Sequence, residues 1–88
     1  MNGTAMVMEL TTFERSKLAE IQRACPNVDV QLVSMADGYV ISGYKGETDE
    51  ALIRVHSDSM AQAERLFTTG YRKLMKAGWF SAGGGAAS

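Results

Sequence analysis

The stretch Val28-Asp-Val-Gln-Leu-Val-Ser-Met-Ala-Asp-Gly-Tyr-Val-Ile-Ser-Gly-Tyr44 decides the fold. Apolar and polar residues alternate on both sides of Asp37-Gly38. A dipeptide that tolerates positive φ, set between two alternating runs, is the signature of a β-hairpin. Taking Asp37 and Gly38 as the two-residue loop of a type I′ turn pairs Ala36 with Tyr39, Ser34 with Ile41 and Leu32 with Gly43. One face of the hairpin then carries Val28, Val30, Leu32, Tyr39 and Ile41. The opposite face carries Asp29, Gln31, Val33, Met35, Val40, Ser42 and Tyr44. Side chains alternate with period two, so only one set can face a helical layer. The first is the more apolar and is the expected core.

Upstream, Thr11 and Glu14 have the spacing of a capping box, and Phe13, Leu18, Ile21 and Ala24 fall on one side of a helix. Pro26 pushes Cys25 out of the helical region, so the helix covers about Thr12 to Ala24. Downstream, Lys45 to Glu50 is a polar loop. Ala51-Leu-Ile-Arg-Val-His56 then alternates as a third strand, with Ile53 and Val55 inward. Leu52, Arg54 and His56 join the outer face. Ser57-Asp58-Ser59 supplies N-caps, and Gln62 completes a capping box with Ser59. Met60, Ala63, Phe67, Gly70, Leu74 and Ala77 make the apolar stripe of a second helix. Gly70 within it suggests close backbone packing on the sheet. Lys73 and Lys76 complement the helix dipole, and Gly78 is a left-handed stop with Trp79 folding back on Leu74.

The expected fold is α+β, a two-layer sandwich. An antiparallel sheet of three or four strands carries both helices on one face, in the order (β)-α-β-β-β-α. Residues 1–10 are an N-terminal segment or edge strand, since Met6, Met8 and Leu10 alternate weakly. Residues 11–80 are a single globular domain. The Gly/Ala/Ser composition of residues 81–88 reads as a flexible tail.

Composition narrows function mainly by exclusion. Eighty-eight residues suit one domain, and 45 % hydrophobic with 22 % charged residues is a globular mixture, not a disordered or coiled-coil one. No apolar run approaches the ~20 residues of a membrane span. The single Cys25 rules out an internal disulfide. No basic residue precedes the first apolar residues, as it would in a signal peptide, so the expected location is cytoplasmic. Catalysis usually needs two cooperating groups, and the lone His56 and lone Cys25 fall on different elements. Cys25 reads as a small buried hydrophobe and His56 as a partly exposed sheet residue. Zinc needs about four ligands at characteristic spacings, which are missing. Gly43-Tyr-Lys-Gly-Glu-Thr48 lacks the phosphate-loop spacing. The expected protein is not an enzyme and takes no cofactor and no metal.

Charge and apolar surface point to partners. A net charge of −1 conceals an uneven distribution. Arg65, Arg72, Lys73 and Lys76 face only Glu64 in the last third, whereas Asp37, Glu47, Asp49, Glu50 and Asp58 outnumber Lys45 and Arg54 in the middle. The outer face of Val33, Met35, Val40, Tyr44, Leu52, Arg54 and His56 is half apolar and needs a cover. The N-terminal segment around Met6, Val7 and Met8, a second copy or another protein would supply it. This favours a small protein-binding regulator or inhibitor of the kind bacteria and phages encode, with Tyr44 as anchor and Arg54 as orienting charge. The alternative is a nucleic-acid-binding module using Arg65, Arg72, Lys73 and Lys76, assisted by Tyr71.

The helix–strand–strand–strand–helix order over Thr11 to Ala77 is similar to that of the double-stranded RNA-binding domain. That family's second helix begins with a lysine-rich stretch. Here the matching stretch is Ser57-Asp-Ser-Met-Ala-Gln-Ala-Glu64, and Arg72, Lys73 and Lys76 come later. With a leading strand the order also resembles the ribosome-hibernation factors, without their strongly basic character. Order alone transfers no function.

Overall fold

The computed structural model describes residues 7–80. Met6 and the tail at 81–88, expected to be flexible, lie outside the described residues. Strands β2 (Asp29–Met35), β3 (Gly38–Tyr44) and β4 (Ile53–Ser57) form an antiparallel sheet, and a two-residue strand β1 (Val7–Met8) pairs with the far edge of β2. Helices α1 (Thr12–Ala24) and α2 (Met60–Lys76) pack on one face. The fold is α+β, with the helix–strand–strand–strand–helix order expected. Between the layers lies a core of Ile21, Val30, Leu32, Ile41, Ile53 and Phe67, joined by Cys25, Val28, Met60 and Ala63.

The hairpin register differs from the expected one. Met35 pairs with Gly38, Ser34 with Tyr39, Leu32 with Ile41 and Val30 with Gly43, so the loop is Ala36-Asp37. A type I′ turn needs positive φ at both central residues. No residue other than glycine has positive φ among the described residues, and Gly38, at φ 145°, is the first residue of β3. Packing favours this register as well. It sets Leu32 against Ile41, where the expected one set glycine and serine against these two. The slip is by two residues, an even number, so every side chain keeps its face. Gly38 is required twice over, because a Cβ there would also lie 2.5 Å from the Ser57 carbonyl oxygen.

The buried stripe of α1 is rotated from the expected one. Phe13 is 60 % exposed with the Lys17 ammonium 5.9 Å from its ring centre, while Glu14 is only 7 % exposed. Burying a carboxylate is tolerable only when its oxygens are satisfied. Glu14 accepts from the Thr11 N–H (2.9 Å) and the Tyr39 hydroxyl (2.8 Å), and the Thr11 hydroxyl accepts from the Glu14 N–H. The capping box thus does more than start the helix; it ties α1 to β3. Chief among the causes, the Thr11 N–H holds the Glu14 carboxyl below the usual carboxylate range, with the Tyr39 hydroxyl adding to it.

Gln22 is half-buried. Its amide donates to the carbonyls of Val28 (2.7 Å) and Cys25 (3.2 Å), and its oxygen accepts from the Val30 N–H (3.0 Å). The side chain therefore occupies the β2 edge where a neighbouring strand would otherwise pair. In α2, Tyr71 is buried beside Met60, Ala63 and Phe67, and the Asn27 amide donates to its hydroxyl at 2.9 Å. Ala77, expected in the stripe, is exposed. Gly70 is not at a close approach, since a Cβ there would meet only Ile53 Cγ2 at an ordinary 3.5 Å. The close approach is at Gly43, where a Cβ would lie 2.9 Å from Phe67 Cζ. At the end of α2 the Gly78 N–H bonds to the Met75 carbonyl and the Trp79 N–H to the Leu74 carbonyl, with Gly78 at φ 85°. These two bonds make a Schellman stop. Trp79 stays 53 % exposed, and the aromatic that folds back is Phe80, stacked 5.2 Å from Tyr71.

Candidate functional site

The sheet face turned away from the helices is ordered by three cross-strand rows. Asp29 stands opposite Tyr44; Gln31, Ser42 and Arg54 form the next row; Val33, Val40 and His56 form the third. Met35 continues the face beyond Val33, between Gly38 on one side and the β1 backbone at Val7 on the other. Six of the seven expected face residues are therefore together. Val33, Met35, Val40 and Tyr44 are partly exposed, and Arg54 and His56 are exposed.

Leu52 is the exception. Its N–H bonds to the Gly43 carbonyl at 2.8 Å, while Ile53 is the Cα partner of Gly43. Two residues opposing one is the arrangement of a β-bulge, which breaks the alternation. Leu52 accordingly packs against the core cluster instead of joining the outer face.

Arg54 lies across its neighbours. Its Nε donates to Ser42 Oγ (3.3 Å) and its Nη2 to the Tyr44 hydroxyl (3.4 Å). Ser42 is buried even though it points to the outer side, a sign that the side chains around it close over this row. Beside Arg54, a cleft of about 330 Å³ is lined by Asp49, Glu50 and Ala51 of the loop preceding β4. The face thus grades from an apolar patch at Val33, Met35 and Val40, through the Tyr44–Arg54 pair, to an acidic rim. No protein-family model, curated protein or solved structure matches the chain.

The alternative basic set is dispersed along α2. Arg65, Arg72, Lys73 and Lys76 are all exposed. Tyr71 cannot assist them by stacking on a base, because it is 5 % exposed and its hydroxyl is engaged by Asn27. Its place four residues after Phe67 in the α2 stripe was the signal that it belongs to the core. The loop after β3 and the end of α2 meet at one end of the domain, where Lys45 Nζ donates to the Trp79 carbonyl (3.0 Å).

Cys25 and His56 lie on opposite sides of the sheet, the thiol in the core and the imidazole on the outer face. Burial pushes the Cys25 thiol pKa up, and the nearby Arg72 charge opposes that only in part. Among the described residues, no three His, Cys, Asp or Glu side chains group to hold a metal ion, and no helix is long and apolar enough to cross a membrane.

Proposed function

We propose that the chain is a small non-enzymatic regulator or inhibitor that binds a protein partner through the outer sheet face. The observation that carries this reading is that both helices lie on the other face. Among the described residues, no second layer covers Val33, Met35 and Val40. Apolar area of that kind on a small domain is characteristic of a binding surface. Tyr44 is the anchor, a rigid aromatic with a polar tip that Arg54 holds in place. The acidic rim at Asp49 and Glu50 calls for a Lys or Arg at the edge of the partner's surface.

The test has two steps. Affinity capture from the cell that makes the protein, followed by mass spectrometry, supplies the candidate partner. Titration calorimetry with purified partner then compares variants. Tyr44→Ala should weaken the complex by about 2 kcal/mol or more while the free domain stays folded. The reading fails if Tyr44→Ala leaves binding unchanged and Arg72→Glu with Lys76→Glu abolishes it. If the ligand captured by those basic residues is nucleic acid, with affinity falling steeply as salt rises, the working surface is α2 instead.

A further inference from the structure

We propose that the cleft between the C-terminal ends of α1 and α2 binds a small amphipathic carboxylate, of the chemical class of a medium-chain fatty acid anion. This site is separate from the sheet face and independent of the function assigned to it. The cleft encloses about 330 Å³, at the lower end of the range of small-molecule sites. Ala24, Thr68 and Met75 contribute to its walls together with the buried Cys25 and Tyr71, and Arg72 and Lys76 supply its charge.

The ligand class follows from what is satisfied there and what is not. Helix C-termini carry partial negative charge and would ordinarily repel an anion. Here most of the terminal carbonyls are already engaged. Those of Ile21 and Gln22 accept from the Cys25 N–H, and that of Cys25 accepts from the Val28 N–H and the Gln22 amide. Those of Lys73, Leu74 and Met75 accept from Ala77, Trp79 and Gly78. The two cations are unspent. Among the described residues, Lys17 alone of the basic side chains makes ion pairs, with Glu20 and Glu64. Cys25 offers Arg72 no counter-charge, since burial favours its neutral thiol.

Arg72 and Lys76 are one helical turn apart and so reach the same space. A guanidinium takes a carboxylate through two parallel hydrogen bonds, and an ammonium a turn away adds a second charge. The remaining wall is apolar enough to hold a hydrocarbon chain but has no aromatic face free for a base, because Phe80 already stacks on Tyr71. One anionic head on one apolar body is what these surfaces complement.

The experiment is a titration of the ¹⁵N-labelled full chain with sodium decanoate below its micelle concentration, followed by amide chemical shifts. The expected result is saturable shifts at Thr68, Arg72, Met75, Lys76 and Cys25. Decanol, with the same chain and no charge, should bind at least about tenfold more weakly. Arg72→Gln with Lys76→Gln should reduce decanoate affinity by a similar factor. Ala24→Leu, at an exposed position, should block the cleft while the melting curve stays that of a folded domain. Equal binding of decanol and decanoate would reduce the cleft to a greasy patch and overturn the proposal. So would unsaturable shifts, shifts centred on Val33 and Val40, or undiminished binding by Ala24→Leu.

Discussion

Adding one methyl group at Gly43 should destabilise the domain, because it would collide with a ring of α2. A Cβ there would lie 2.9 Å and 3.3 Å from Phe67 Cζ and Cε1, and 3.2 Å from Val28 Cγ2. Phe67 is fully buried, so its ring cannot escape into solvent. Overpacking of this kind typically costs about 1–3 kcal/mol. Alanine is stiffer than glycine in the unfolded chain and returns roughly 0.5–1 kcal/mol. At the middle of these ranges a net loss of about 1 kcal/mol remains, and each kcal/mol lowers the Tm of a domain this size by roughly 4–8 °C. Urea unfolding of Gly43→Ala, followed by circular dichroism, should show a lower midpoint with an unchanged slope. A double-mutant cycle with Phe67→Leu isolates the cause, since a shorter side chain removes the collision. The double variant should be less destabilised than the two single variants predict together. Strict additivity, or a Gly43→Ala protein as stable as the parent, would refute the reasoning.

The same substitution at Gly70 should have the opposite sign. Its Cβ meets only ordinary contact with Ile53, so Gly70→Ala should stabilise α2 by about 0.5–1 kcal/mol, read as a higher thermal midpoint. Glu14→Gln should destabilise the protein at pH 7. The folded-state carboxyl is held below its unfolded value, so its contribution is present above the unfolded pKa and is lost as pH falls through the folded one. The gap in Tm between parent and Glu14→Gln should therefore close as pH drops below the carboxylate range. Gln22→Ala removes three hydrogen bonds, one at the end of α1 and two at the start of β2, and should cost about 1–3 kcal/mol. It should also accelerate amide exchange at Val30, whereas unchanged exchange there would mean water replaces the glutamine without loss.

The elements and their faces were legible in the sequence because each rests on local chemistry. Thr11 with Glu14, Pro26, Ser59 and Gly78 are short-range signals, and period-two alternation assigns faces without any knowledge of the partner strand. Register was not legible from the turn, since it is set by which side chains pair along the strands, Leu32 with Ile41 and Val30 with Gly43, and the Asp37-Gly38 dipeptide does not announce those pairs. Phe13 and Glu14 traded places for a similar reason. A phenol arriving from β3 satisfies the carboxylate oxygen that the Thr11 N–H leaves free, and nothing local announces it. Leu52 was misplaced because alternation does not reveal a bulge. For the site, the shared face of Val33, Val40, Tyr44, Arg54 and His56 followed from alternation alone, whereas their cross-strand pairing did not. The cleft flanked by Arg72 and Lys76 did not, because it arises where two separate helix ends fail to close together.

The glutamine clamp on β2 also bears on how copies of this protein can meet. Along the outer side of β2, Gln22 occupies the Val28–Val30 end and β1 occupies the Ser34–Met35 end. The sheet's two borders are thus unequal: five residues at β4 against two at β1. Endless stacking requires two sticky borders per molecule, one to receive and one to offer. With one long border and one of only two residues, strand addition through β4 leaves little backbone for a second event. Two copies joined through β4 would make a continuous sheet whose ends are both blunted, a terminating pair and not the seed of a fibre.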